Sequence, residues 1–128
     1  MKRMFAIVLA MVMLLTGCGG TSQTREVAYQ QISQEAAKEL MDARDVIVLD
    51  VREQHEYDSG HIPGAVLLPV GTITGDTAAA VIDDLDTVIL VYCRSGNRSK
   101  TASQALVDLG YTNVYEFGGM NTWPYDIE

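Results

Sequence analysis

The residues best equipped for chemistry lie between Val88 and Arg98, in the stretch V-I-L-V-Y-C-R-S-G-N-R. An apolar run of β-formers ends on Cys93. A polar loop containing Gly96 follows, and a helix-like segment begins at Ser99. A thiol at a strand-to-helix turn faces loop N–H groups and the positive end of the helix dipole. Both favour the thiolate, the nucleophilic form of cysteine. Free cysteine is often a small apolar core filler. Arg94, Gly96 and Arg98 argue against that role here, because filling a core needs neither two cations nor a glycine.

The loop itself supplies the rest of the expected site. The N–H groups of Arg94, Ser95, Gly96, Asn97, Arg98 and Ser99, curled around the sulfur, would cradle an anion, so these residues are the candidate substrate-binding set. Gly96 permits a backbone conformation or a close approach that a side chain would resist. Arg94 fits an anion at the loop mouth and reads equally well as a solvated arginine. Arg98 is expected to brace the loop by pairing with an acid. Asp50 and Glu56 are the candidate supports, and the sequence does not choose between them.

These residues need a scaffold, and the pattern is one of alternating strands and helices. Strands are expected over Val27–Ile32, Val46–Val51, Ala65–Leu68, Thr87–Tyr92 and Val114–Phe117. Helices are expected over Gln34–Asp42 with Ser33 as N-cap, Glu53–Asp58, Thr77–Asp84 and Ser99–Leu109, with Gly110 as a left-handed C-cap. Alternation of this kind predicts an α/β fold around a mostly parallel sheet of about five strands. Ligand sites of such sheets lie at the carboxyl ends of the strands, where both Asp50 and Cys93 fall. Gly118 and Gly119 read as the turn after the last strand. Trp123 and Pro124 read as a cap on the core at the start of a final helical turn.

The first residues read as an address. Lys2 and Arg3 precede an apolar run, Met4 to Leu15, that falls short of the ~20 residues needed to span a bilayer. Leu15-Thr16-Gly17-Cys18 then looks like a bacterial lipobox. The expected organisation is a signal peptide over 1–17, a lipid-anchored flexible tether over 18–25, and one folded domain over 26–128. The protein would be exported and held to the cell membrane on its extracytoplasmic side by acyl chains on Cys18. Cys93 would then be the only free thiol of the mature chain, since there are two cysteines in all. His55 and His61 with one cysteine make no four-ligand set, so no metal and no cofactor are expected. The net charge of −8 and the lack of a basic stripe argue against nucleic acid as a partner.

Three blocks resemble the rhodanese family in order and spacing. They are Leu49-Asp50-Val51-Arg52 with Glu56-Tyr57 and Gly60-His61-Ile62-Pro63-Gly64-Ala65; the loop Cys93 to Ser99; and Gly118-Gly119 followed by Trp123. The resemblance implies a three-layer fold and a cysteine that takes a sulfane sulfur from a donor such as thiosulfate. The sulfur would pass through a Cys93 persulfide to cyanide or a thiol. Arg94 would then meet a sulfonate-type anion. Related cysteine–arginine phosphatases have a loop one residue longer, and the shorter gap from Cys93 to Arg98 suits sulfur better than a phosphoryl group. A persulfide carrier serving a protein acceptor, or a sulfur-sensing module, is the alternative. Arg52 reads as structural, His61 as a turn-fixing residue rather than a base, and His55 as solvated.

Overall fold

The computed structural model describes residues 28–128. The expected signal peptide, Cys18, the tether and the first residue of the Val27–Ile32 strand lie outside the described residues. Five strands and four helices alternate: β1 (Gln30–Gln31), α1 (Gln34–Ala43), β2 (Ile47–Asp50), α2 (Gln54–Asp58), β3 (Val66–Leu67), α3 (Gly75–Val81), β4 (Val88–Cys93), α4 (Asn97–Asp108) and β5 (Asn113–Gly119). Short 3-10 turns follow β3 at Val70–Thr72 and β5 at Met120–Thr122. The sheet order is β1-β5-β4-β2-β3, with every pairing parallel.

The central strand is buried on both faces, which is why Val88 to Tyr92 reads as a continuous apolar run. Leu49, Val51, Ile89, Val91 and Cys93 pack with Ala78 of α3 and Ala102 and Leu106 of α4. Val48, Leu90, Tyr92 and Phe117 pack with Ala37 of α1, and Tyr57 of α2 joins that second cluster. Helices thus cover both faces, in three layers. Alternation along β4 sends the Cys93 side chain toward α4 and the Tyr92 side chain the other way.

Several boundaries differ from expectation for local reasons. β1 pairs only at Gln30 and Gln31, because Ser33 already accepts the Ala36 N–H at 3.0 Å and starts α1. α3 begins at Gly75 rather than Thr77, since Thr74 and Thr77 cap each other reciprocally. It ends at Val81, short of Asp84, whose carboxylate accepts the Asp86 N–H at 2.9 Å in a tight turn. α4 starts at Asn97, two residues before Ser99, because Gly96 at φ 104 turns the chain into the helix at once. Gly110, at φ 105, ends α4 as expected.

Gly118 and Gly119 are not a turn after the last strand; they are its final two residues. Val91 pairs with Glu116 and Cys93 with Gly119, so β5 carries one extra residue over this step. The bulge falls at Gly118, with φ 94. A Cβ on Gly119 would lie 2.1 Å from the Arg94 carbonyl oxygen, so only glycine lets β5 pass the loop. Trp123 stands at the end of a 3-10 turn rather than the start of a helix, packed on Phe117 with ring centroids 5.6 Å apart.

Candidate active site

The site begins with the carboxyl end of β2. Asp50 is fully buried and carries three partners. Its carboxylate accepts the Arg52 guanidinium at 2.6 Å and 2.9 Å, the Arg52 backbone N–H at 3.0 Å and the Tyr92 hydroxyl at 2.6 Å. Arg52 also donates to the Gly60 carbonyl at 2.7 Å, so one ion pair ties β2 to the end of α2. Burial and the hydrogen bond to Asp50 push the Tyr92 phenol well above its ordinary value, which keeps it a neutral donor. Tyr92 immediately precedes Cys93, so Asp50 supports the loop by fixing the end of β4.

The brace left open by the sequence is Glu56. Arg98 meets it in a two-pronged pair, Nη1 to Oε1 at 2.8 Å and Nη2 to Oε2 at 3.0 Å. Glu56 also accepts the Glu53 N–H at 3.0 Å, capping its own helix. Arg98 and these hydrogen bonds hold the Glu56 carboxyl down to about 2. Asp50 makes no such contact with Arg98, because Arg52 and Tyr92 occupy it. Arg98 therefore belongs to the scaffold of the loop more than to its mouth.

Cys93 has no exposed surface and is the only free cysteine among the described residues. The Gly96 N–H donates to its Sγ at 3.0 Å, and the Ser99 hydroxyl oxygen lies 3.4 Å away. Burial pushes the thiol up. Hydrogen bonding from Ser99, Gly96 and Ser95 outweighs that penalty, and the net direction is below the ordinary thiol value. This is the chemistry expected of a nucleophile or of a sulfur carrier.

The other loop residues divide. Arg94, Ser95 and Asn97 are exposed, while Gly96 is buried. Among the described residues Arg94 makes no salt bridge. It lines a cleft of about 300 Å³ on the α2 side with Arg52, Glu56 and Asn121. Its carbonyl accepts the Asn121 N–H at 3.0 Å, which fixes the loop against the turn after β5. The Ser99 backbone N–H joins the loop donors around the sulfur, while its side chain is fully buried. Its hydroxyl donates to Glu116 Oε2 at 2.5 Å.

Glu116 enters the site with no sequence-based expectation, and Gly119 enters it as a strand residue against the loop rather than as part of a turn. The signal for Glu116 was present: alternation from Val114 puts Glu116 on the buried face of β5, an unusual place for an acid. His61 behaves as a turn-fixing residue, bonding the Tyr57 carbonyl at 2.9 Å and stacking on the Tyr57 ring at 3.8 Å.

A buried thiol at a strand end, ringed by loop N–H groups, matches a known family. Residues 33–125 fit the model of the rhodanese-like domain. The chain belongs to the rhodanese family. It is 38% identical over 96 residues to a thiosulfate sulfurtransferase GlpE of Coxiella burnetii, covering 74% of this chain and 87% of that one. A GlpE of Pseudoalteromonas translucida is 33% identical over 98 residues, covering 76% and 90%. Among solved structures, a rhodanese with anions from E. coli aligns with a TM-score of 0.61 at 27% identity, over 66% of this chain and 98% of that one. The rhodanese-like domain of an Anabaena protein aligns with a TM-score of 0.70 at 26% identity, over 77% of each. This rhodanese is a sulfurtransferase, built on the expected three-layer fold, whose mostly parallel sheet proves parallel at every pairing.

Proposed function

We propose that this rhodanese loads Cys93 from thiosulfate and passes the sulfur to cyanide or a small thiol. The observation that carries the reading is the sulfur environment: Sγ sits at the carboxyl end of β4, 3.0 Å from the Gly96 N–H, with its thiol lowered by Ser99, Gly96 and Ser95 against the pull of burial. In the loading step the Cys93 thiolate attacks the outer sulfur of thiosulfate. The S–S bond of thiosulfate breaks, sulfite leaves with the electron pair, and Cys93 carries a persulfide. In the second step the acceptor attacks the outer sulfur, and Cys93 departs as a thiolate. The exposed Arg94 attracts the anion, and the loop N–H groups hold the negative persulfide. The Arg98–Glu56 pair and the Asp50–Tyr92 bond keep the loop in shape. Thiosulfate as donor draws support from the two GlpE relatives, which are thiosulfate sulfurtransferases.

The amino-terminal pattern extends the proposal: a chain lipidated on Cys18, tethered through residues 18–25 and held on the extracytoplasmic face of the cell membrane. One mass-spectrometric experiment addresses both parts. The protein recovered from membranes of the producing cell should begin at a diacylated Cys18. Mixed with thiosulfate, it should gain the mass of one sulfur atom on Cys93, and thiocyanate should form on adding cyanide. Cys93→Ser should lose the adduct and the product. No adduct on the unmutated protein, or transfer retained by Cys93→Ser, would overturn the sulfur-loading proposal. An unmodified amino terminus would overturn the anchor.

A further inference from the structure

Among the described residues Glu116 is the one buried acid that makes no salt bridge. It is 2% exposed, and among the described residues the salt bridges of buried or half-buried acids engage Asp50 and Glu56, not Glu116. Three neutral donors meet it instead: Ser99 Oγ at 2.5 Å and the Gly118 N–H at 2.9 Å, both to Oε2, and Gln31 Nε2 at 3.3 Å to Oε1. An uncompensated carboxylate in the interior is costly, so its surroundings need a reason.

Hydrogen counting around Ser99 supplies one. A serine hydroxyl has a single hydrogen. Its oxygen stands between Glu116 Oε2 at 2.5 Å and Cys93 Sγ at 3.4 Å. With that hydrogen pointing at Glu116, a protonated Sγ donates to Ser99 Oγ, and the three groups form a directed chain from thiol to hydroxyl to carboxylate. With the hydrogen pointing at a thiolate, a protonated Glu116 donates to Ser99. With both groups ionised, only one of them can receive the Ser99 hydrogen, and the other is left to its remaining donors, the Gly96 N–H for Sγ or the Gly118 N–H and Gln31 for Glu116.

We infer that Cys93, Ser99 and Glu116 share one proton and one negative charge, and that Glu116, a positioning residue acting through Ser99, holds the thiol proton while Cys93 is loaded. The inference rests on Cys93 being the sulfur-carrying thiol. As the Sγ–H bond breaks, an O–H bond forms at Ser99 Oγ. The original Ser99 O–H bond breaks, and an O–H bond forms at Glu116 Oε2. No electrons are gained or lost overall; the negative charge crosses from carboxylate to sulfur. When sulfur leaves, the Cys93 thiolate recovers its proton by the reverse path.

Other groups also face Glu116. Gln31 from β1 and Gln34 near the start of α1 are neutral, and the exposed Lys100 of α4 shares the wall of the same cleft, about 410 Å³ in volume. Arg98 is committed to Glu56 on the opposite side of the loop.

The test is the rate of Cys93 alkylation by iodoacetamide between about pH 4 and pH 10 on the domain with its fold checked by circular dichroism. The unmutated protein should show two rises separated by a plateau: one as the pair loses its first proton, a second as the remaining proton leaves. Glu116→Gln keeps the hydrogen-bonding shape and cannot hold the proton. It should show one rise, with a slope of about tenfold per pH unit below the thiol midpoint. Ser99→Ala removes the bridge, keeps the acid, and should likewise show one rise, which keeps the test open should Glu116→Gln not fold. A single rise in the unmutated protein, or two rises retained in either folded variant, would overturn the inference. Alkylation needs no sulfur donor, so this outcome is separate from failure of thiosulfate loading.

Discussion

Two neighbouring residues of α4, Arg98 and Ser99, each hold a glutamate, and the two flanks of the loop differ in what that grip does. On the α2 flank Arg98 pairs with Glu56 and Arg52 with Asp50, so the buried charges there are matched. On the β5 flank Ser99 meets Glu116, which forms no salt bridge among the described residues. Matched charge fixes geometry, since moving either partner leaves the other stranded. Unmatched charge beside a thiol is free to move as a proton moves. The loop thus has a charge-paired side and a side held by neutral donors, with Cys93 between them.

The charge-paired side breaks most severely at Asp50. Asp50→Asn removes the charge that meets Arg52 and one of the two buried oxygens shared between Arg52 and the Tyr92 hydroxyl. Stranding a buried guanidinium should cost about 3–5 kcal/mol in urea unfolding. Thiosulfate loading should fall with it, because Tyr92 positions the end of β4. A loss near that of an ordinary surface substitution, under about 0.5 kcal/mol, would mean that Arg52 finds another partner and that this flank is less fixed than its geometry implies.

How far these contrasts can be read without coordinates depends on the range of the interactions. Cys93, its arginines and Gly96 are local in the chain, and the apolar runs of β2 and β4 declare themselves by composition. The choice between Asp50 and Glu56 for Arg98 was not legible. Both lie near the end of β2, and only the Asp50–Arg52 pair, closed two residues along the chain, removes Asp50 from contention. Glu116 was harder still. Its approach to Ser99 depends on parallel pairing of β4 with β5 and on a one-residue bulge at Gly118, neither of which has a local signature. Gly118 and Gly119 looked like a turn because paired glycines usually mark one. Here the second is required by contact with a loop some two dozen residues earlier in the chain.

Glu56→Gln probes the same flank at its solvent edge. Arg98 is 34% exposed and Glu56 16%, so screening discounts the pair, and about 1–2 kcal/mol is expected. The pH dependence has a definite sign. Glu56 is held at about 2 in the folded protein against 4.5 for the free group, so its stabilisation is complete above pH 4.5 and fades as pH falls toward 2. Unfolding curves of the two proteins should therefore differ at pH 7 and converge near pH 2. A difference that persists unchanged at low pH would assign the effect to packing rather than to charge.

Arg94 sharpens the comparison from the mouth of the loop, where an arginine is exposed and makes no salt bridge among the described residues. Because nothing is stranded when it goes, Arg94→Ala should change stability by less than about 0.5 kcal/mol. Its effect should fall on capture of the donor. Losing one charge-assisted contact to an anion is worth about tenfold, so the thiosulfate concentration for half-maximal loading should rise by about that factor. Added salt should shrink the gap between the two proteins, since the attraction is screened at the surface. Alkylation by iodoacetamide, which is neutral, should be unaffected. An equal slowing with the neutral reagent would move Arg94 from the capture of anions to the shaping of the thiol, and the loop would then have no residue whose charge is left for the donor.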